Sequence, residues 1–450
     1  FDTTLIGNSA WFNGTDSRMD SPSFSAQVDP TCFTFATWVK INSFSVTNGQ
    51  YIWSAERSGN YAAIGFDAND KLFAYSNPAT FTSDMVFRDI GWYHIICSYK
   101  GAANTVRMFV NGVEITNTAS NTLASPNPEP VAHSHTQRIG AYYVGATGGD
   151  LYETDAYLAQ TVFLDGFSFQ DGDISVTDFL DTFTFGTNGS QFIPKKDSEL
   201  ATLAGTAGAN SYVLDYADSS ALGNDISSKD NNFTLTNLSS ANQSESTPSN
   251  TYATWNPIFG PFAGHTHTAT LTEGNLRLAS STSNYSVTTS SLAMPAGSGK
   301  FAAKFTVNTL GGIYPVIGVF DMDGDTTSSF TGSSDSVGLR MDGQKYVDGS
   351  SSSYGSAVSA GNTVEVELDL DNNTVEFLIN GSAQGTISKT FTGTVVFMVQ
   401  DGSNGSAIDV TAEFDYTPDD SSFKTLNTAN LTAPDYQGID YFDATIYEGN

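Results

Sequence analysis

Cysteine is nearly missing: Cys32 and Cys97 are the two thiols in 450 residues. Two thiols cannot staple a chain of this length, so the fold must rest on buried apolar area rather than on a disulfide framework. Each lies in an apolar, strand-like run, TCFTFATW and WYHIICSY, which suits a buried core thiol; a bridge between neighbouring strands is the alternative. Basic residues are scarce too. Lys and Arg total 18 against 48 Asp and Glu, a formal charge of −30. That charge repels phosphate backbones and anionic lipid surfaces, so nucleic acid is not expected as a partner, and it favours solubility at high local concentration. No apolar run approaches membrane-spanning length and no secretory leader is readable, so membrane insertion is not expected. Opening on Phe1 rather than Met, the chain is expected to be processed or to lack its original start. Helical periodicity is confined to Ile174–Asp181 (ISVTDFLD), with Ser175 or Thr177 as the cap. No Gly-x-Ser-x-Gly elbow accompanies the five histidines, and no Gly-x-x-x-x-Gly-Lys phosphate cradle is present.

What is abundant is strand chemistry. Hydrophobic residues at 39% and aromatics at 12% are enough to fill cores, which excludes a disordered chain. Short apolar runs alternate with Gly, Ser, Thr, Asn and Asp clusters, the pattern of sheets joined by turns. One hairpin occurs twice, as TVRMFVNGVEI (Thr105–Ile115) around Asn111-Gly112 and as TVEFLINGSAQGTI (Thr374–Ile387) around Asn380-Gly381. Asn-Gly favours a type I′ turn, since both residues tolerate positive φ and the turn matches strand twist. The length fits two domains, and the twin hairpins point to two copies of one architecture.

Between the copies, residues 189–256 include ALGNDISSKDNNFTLTNLSSANQSESTPSN, which is poor in apolar residues. A structureless loop of that length is unusual inside one domain, so it marks a boundary and reads as an extended linker packed on a sandwich. Within it, Tyr212, Leu214 and Tyr216 are candidates for one added strand, and Phe233, Leu235 and Leu238 for pinning residues. Residues 421–450 read as a second linker, ending as though a further module should follow.

Met85–Ile115, MVFRDIGWYHIICSYKGAANTVRMFVNGVEI, resembles the LamG/concanavalin-A-like domain of bacteriophage tail and virion proteins. SAWFNGTDSRMDSP and FTFATWVKI resemble its opening strands, and AYLAQTVFLDGFSF (Ala156–Phe169) its closing strand. In the second half, VEVELDLDNNTVEFLINGSAQGTI resembles a SPRY-type sandwich of related topology. The resemblance implies an all-β protein with two tandem concanavalin-A-like, jelly-roll antiparallel sandwiches. Residues 1–188 would form the first, 189–256 the linker, 257–420 the SPRY-like sandwich and 421–450 the second linker. It also implies a phage particle as the setting, although a fold of this kind hosts many functions.

Glu365, Glu367, Asp369 and Asp371 alternate along TVEVELDLDNN, so all four share one strand face. Laminarinase-type hydrolases of this fold use Glu-x-Asp-x-Glu, and a retaining pair must differ in pKa. The order here is Glu-x-Glu-x-Asp-x-Asp. Val364, Val366, Leu368 and Leu370 would face the core and leave the acids in solvent, so no catalytic residue is assigned and no enzyme is expected. Asp321, Asp323 and Asp325 in FDMDGDTT supply closely spaced oxygens and are the calcium candidates, although the EF-hand pattern fails and a polar Gly-containing turn is the favoured reading. LamG domains often hold calcium at a sandwich rim, where Asp150 and Glu153 could contribute; otherwise no cofactor is required. The pairs His133/His135 and His265/His267 have chelating spacing on a strand, yet their setting favours solvent-facing polar residues. His94 reads as packed in its strand. Tyr142, Tyr143, Tyr152, Tyr157, Tyr346 and Tyr354 lie in Gly- or Ser-rich surroundings and are the candidates for sugar stacking.

The function expected is that of a virion structural protein, a tail fibre or surface adhesin on the phage particle. Its partners would be other virion proteins, further copies of itself (a trimer above all, through the gain from multivalency) and host-surface polysaccharide. A secreted bacterial lectin-like or glycan-degrading protein is the runner-up, and a purely architectural capsid decoration the third reading.

Overall fold

The computed structural model describes residues 5–24, 32–57, 60–76, 79–100, 105–115, 136–143, 150–184, 190–258, 269–280, 285–324, 333–402 and 407–431. They fall into two compact units, Phe1–Ser249 and Asn250–Leu431, each built from two antiparallel sheets packed face to face. Among the described residues no helix is long and apolar enough to cross a membrane.

In the first unit one sheet runs edge to edge as Val113–Glu114, Thr105–Val110, Tyr93–Lys100, Cys32–Ile41, Asp155–Asp165, Ser9–Asn13 and Gln243–Ser244, with Tyr212–Leu214 also paired to Asp155–Asp165. The other runs Thr234–Thr236, Arg18–Asp20, Gln137–Ile139, Gln50–Arg57, Asn60–Phe66, Leu72–Ser76 and Ala79–Thr82. Alternation sends Phe12, Phe33, Phe35, Trp53, Leu158 and Phe163 between the sheets. Trp53 Nε1 donates to Gln137 Oε1 at 2.9 Å, and Tyr212 Oη donates to the same oxygen at 2.9 Å, so no polar atom of that trio is stranded.

Cys32–Ile41 is buried at every position. The reason is a further layer outside its sheet: Ala36, Ile96, Val162 and Val213 pack against Leu200 and Ala204 of the helix Asp197–Thr206 and against Phe179 and Leu180. A strand covered on both faces reads as a continuous apolar run, which is what TCFTFATW is. Cys32 and Cys97 are both buried and are not joined in a disulfide. The helix expected near Asp178 is a single 3₁₀ turn, Val176–Asp178, in which Asp178 Oδ2 accepts from Ser175 N at 2.7 Å and Ser175 Oγ at 2.9 Å. The longer helix Asp197–Thr206 was not legible, since only Leu200 and Ala204 of its ten residues are buried.

Residues 190–249 are therefore built into the first unit. They supply that helix, one strand of the hairpin Leu180–Thr184/Ser190–Pro194, and the strands Tyr212–Leu214, Thr234–Thr236 and Gln243–Ser244. Tyr212, Leu214, Tyr216, Leu222, Phe233 and Leu238 lie in its core.

The second unit repeats the plan. One sheet runs Thr270–Thr272, Arg277–Ser280, Ile408–Glu413, Lys300–Leu310, Thr363–Asp369, Thr374–Ile379 and Ser382–Ala383; the other runs Val287–Thr289, Thr394–Gln400, Val316–Asp321, Ser336–Arg340, Gln344–Val347 and Ser350–Ser353. Trp255, Phe305, Phe397 and Phe414 fill its centre. The twin hairpins match in a detail below the motif. Asn111 (φ 48) and Asn380 (φ 49) precede Gly112 (φ 80) and Gly381 (φ 76), as a type I′ turn requires. The Asn111 side chain accepts from His94 N at 2.8 Å, and that of Asn380 from Thr363 N at 2.9 Å, each tying the turn to the strand beside it.

In each unit the incoming and outgoing chain segments meet. Ile6 N donates to Ser249 Oγ at 3.2 Å and Thr247 Oγ1 to Ile6 O at 3.1 Å. In the second unit Thr251 N donates to Thr428 Oγ1 at 2.9 Å and Ala253 N to Leu426 O at 2.9 Å.

Candidate functional site

The outer face of the Gln50–Arg57/Asn60–Phe66/Leu72–Ser76 sheet carries five partly buried tyrosines. Because Ala62, Ile64 and Ala74 point into the core, Tyr51, Tyr61, Phe73 and Tyr75 point away from it. Small residues make the floor. Ala63 stands between Ser54 and Tyr75, and Gly65 between Tyr51 and Phe73, where an added Cβ would meet Gln50 O at 2.1 Å. With no side chain at Gly65, the Tyr51 and Phe73 rings close over it, 5.0 Å apart.

The short hairpin Tyr142–Tyr143/Asp150–Leu151 brings two more rings. Tyr152 stacks on Tyr51 at 4.8 Å, and Tyr142 stands 5.3 Å from Tyr51 and 4.7 Å from Tyr61. Tyr61 and Tyr75 stack at 4.2 Å. Tyr152 takes φ 62, an uncommon conformation for a bulky residue, held by Tyr51 N donating to Tyr152 O at 2.9 Å. Burial pushes the Tyr51 and Tyr61 hydroxyls above the ordinary phenol range, helped for Tyr61 by its hydrogen bond with Tyr75. Both stay neutral at any physiological pH. The result is a cluster of neutral ring faces with hydroxyls at their edges, which can pack against C–H surfaces and exchange hydrogen bonds with hydroxyls.

Of the tyrosines singled out in the sequence, Tyr142 and Tyr152 come together here; Tyr143 lies in the same hairpin. Tyr51, Tyr61 and Tyr75 were missed, because only strand register places them side by side. Tyr157 is buried on the other sheet. Tyr346 and Tyr354 belong to the second unit and are engaged there. Tyr346 Oη accepts from Arg340 Nη1 at 3.1 Å, while Tyr354 Oη donates to Gly385 O and accepts from Phe377 N at 3.3 Å.

Asp321 is 2% exposed and spends its carboxylate on backbone amides: Oδ2 accepts from Thr392 N at 3.0 Å and Gly393 N at 2.9 Å, and Oδ1 from Asp323 N at 3.1 Å. Asp323 is exposed. Asp325, His133, His135, His265 and His267 lie outside the described residues. Among the described residues no three His, Cys, Asp or Glu side chains are placed to hold a metal.

The acidic row departs from expectation. Val364, Val366, Leu368 and Leu370 do face the core, but Glu365 is 3% and Asp369 6% exposed rather than solvated. The chain after Phe414 returns across this face: Tyr416 Oη donates to Glu365 Oε1 at 2.7 Å, and Lys424–Thr425 pairs in parallel with Phe301–Ala302. Lys300 reaches Asp369 at 2.9 Å. Glu367, directly opposite Glu376, is pushed up to about 7 by burial and by the charges of Glu365, Asp420, Glu376 and Asp419.

Residues 13–160 match the concanavalin A-like lectin/glucanases superfamily. That stretch contains all five tyrosines of the face. No curated protein matches the chain. Among solved structures it is similar to stonustoxin (16% identity over 36% of this chain and 27% of that one, TM-score 0.29). It is also similar to the SPRY domain of human HERC1 (18% identity, 32% and 91%, TM-score 0.29) and to the heptameric SAP-like pentraxin from Limulus polyphemus (14% identity, 35% and 76%, TM-score 0.29).

Proposed function

We propose that this chain is a non-enzymatic, glycan-binding structural protein of a bacteriophage particle, with the tyrosine face of its first unit as the sugar-binding surface. The observation that carries the reading is the convergence of Tyr51, Tyr61, Tyr75, Tyr142 and Tyr152 on one partly exposed face. Stacked phenol rings suit a pyranose, and the absence of a charged group among the five favours a neutral sugar. The superfamily match over the same residues supports carbohydrate as the ligand class. The particle setting rests on the resemblance of Met85–Ile115 and Ala156–Phe169 to virion domains, and the net charge of −30 suits dense display in many copies. Display as an oligomer, a trimer in particular, would turn a weak sugar contact into firm attachment to host polysaccharide.

A glycan array probed with the oligomeric protein tests the reading. Binding to neutral host-derived sugars, weakened about tenfold by Tyr61→Ala or Tyr142→Ala with the thermal midpoint little changed, is the expected result (about 1.4 kcal/mol). No binding by the intact protein would favour a purely architectural role. Imaging of intact particles decides the location.

A hydrolase reading is favoured by one observation, the raised Glu367 carboxyl beside Glu365. Host polysaccharide left uncut by wild type, Glu365→Gln and Glu367→Gln alike would remove it.

A further inference from the structure

The first unit holds a second unusual surface, on the sheet opposite the tyrosine face. Alternation turns Trp11, Trp38, Lys40, His94 and Tyr157 away from the core that holds Phe12, Val39, Ile95 and Leu158. Register places Tyr157 directly between Lys40 on one strand and Trp11 on the other, with Trp38 opposite His94. The ring of Trp92 stands 6.5 Å from that of Tyr157, and Lys40 Nζ lies 5.5 Å from the Tyr157 ring centre. Four neighbouring strands or their ends thus bring three indoles, a phenol and one ammonium to a single patch.

Three of its donors have no counterpart among the described residues. Lys40 is 2% exposed, and its ammonium has no hydrogen-bond partner among the described residues. The indole N–H groups of Trp38 and Trp92 are buried without one as well. Asp155, two residues from Tyr157 on the same face, is the one carboxylate beside the patch among the described residues, and it is held by Ser43, Asn42 and Trp11 rather than by Lys40. Burial alone lowers Lys40, to about 8, so it remains cationic at neutral pH. His94, lowered to about 3 by burial, is neutral and adds no second charge. Apart from His94 Nδ1, which is buried without a partner too, the unanswered groups of this face are an ammonium and indole N–H groups, and all of these are donors. Their complement is an anionic acceptor.

We propose that this face binds an acidic sugar, with the carboxylate on Lys40 Nζ and the indole N–H groups of Trp38 and Trp92, and the pyranose ring against Trp11, Trp92 and Tyr157. One ammonium with two flanking donors matches one carboxylate. The aromatic walls add a packing surface that a small inorganic anion cannot use. Trp11 and Trp92 are the partly exposed members, so a ligand reaches the patch at their rings. The net charge of −30 does not forbid an anion here. Charges beyond roughly 8 Å are screened at physiological salt, whereas an ammonium in contact is not.

The test is a titration of the full chain, followed by tryptophan fluorescence and calorimetry. Its three probes are a glucuronic-acid oligosaccharide, the same oligosaccharide with its carboxyls reduced to alcohols, and sodium acetate. The acidic oligosaccharide should bind and perturb the fluorescence, the reduced one should bind at least tenfold more weakly, and acetate should not compete. Lys40→Met should abolish binding while its thermal midpoint equals or exceeds wild type; Trp92→Phe, which keeps a ring and loses the N–H, should weaken it several-fold. Equal binding of the two oligosaccharides, full binding by Lys40→Met, or no binding of the acidic oligosaccharide at millimolar concentration would each overturn the proposal. Competition by acetate at the oligosaccharide's own affinity would overturn the assignment to a sugar.

Discussion

Lys40 holds a positive charge where water does not reach it, and that has a thermodynamic signature of its own. Its amine is lowered from 10.5 to about 8, so between those values the unfolded chain binds more protons than the folded one. Stability must then rise with pH across that window. Below it, the folded protein carries a penalty of about 3 kcal/mol from this one group. Lys40→Met should therefore raise the thermal midpoint of the first unit at pH 7, and the rise of wild-type stability from pH 8 to 10.5 should be missing from the variant. Calorimetry at three pH values checks both. Nothing in FTFATWVKI announces this lysine, because a Lys at the end of an apolar run ordinarily extends its stem and leaves its head in water. Tyr142 and Tyr152, in contrast, stood out by their Gly-rich surroundings. Tyr51, Tyr61 and Tyr75 come from three separate strands, and residue type alone does not align strands.

Along the strand Thr363–Asp369, alternation identified the inward side chains correctly and the fate of the outward ones wrongly. Period-two patterning says which residues share a face; it says nothing about which later segment comes back to cover that face. Here the cover is the stretch around Tyr416, which closes Glu365 and leaves Glu367 among like charges. Glu365, Glu376, Asp419 and Asp420 surround it, with Lys300 bound to Asp369 and Lys304 over the Tyr416 ring at 4.5 Å. Glu367 is raised from 4.5 to about 7, so in that interval the folded state keeps a proton the unfolded state has lost. Stability of the second unit should accordingly fall as pH climbs from 4.5 to 7. Glu367→Gln should flatten that decline and leave the protein more stable than wild type at pH 8, as followed by urea denaturation.

Across the whole molecule, the two-sandwich plan was legible because strand periodicity, turn chemistry and the twin Asn-Gly hairpins agree with one another. The boundary was less so. Residues 190–249 look like a linker because their apolar residues are sparse, yet Tyr212, Leu214, Tyr216, Leu222, Phe233 and Leu238 are core residues reached one at a time from an irregular path. Each fully buried side chain of this size contributes about 1.5–3 kcal/mol, and their sum rivals the roughly 5–15 kcal/mol that holds a domain together. A fragment of residues 1–188 should lack a cooperative thermal transition. Fragments 1–249 and 250–431 should each show one by circular dichroism.

The clasps between incoming and outgoing segments have a mechanical consequence. Tension applied along the chain enters and leaves each unit at neighbouring points, Ile6 beside Ser249 and Thr251 beside Thr428. The load falls first on those few hydrogen bonds, broken one after another, while the sheets behind them stay unstretched. Strung in series, such units behave as beads held at the neck, able to give a little at each clasp before any core is asked to open.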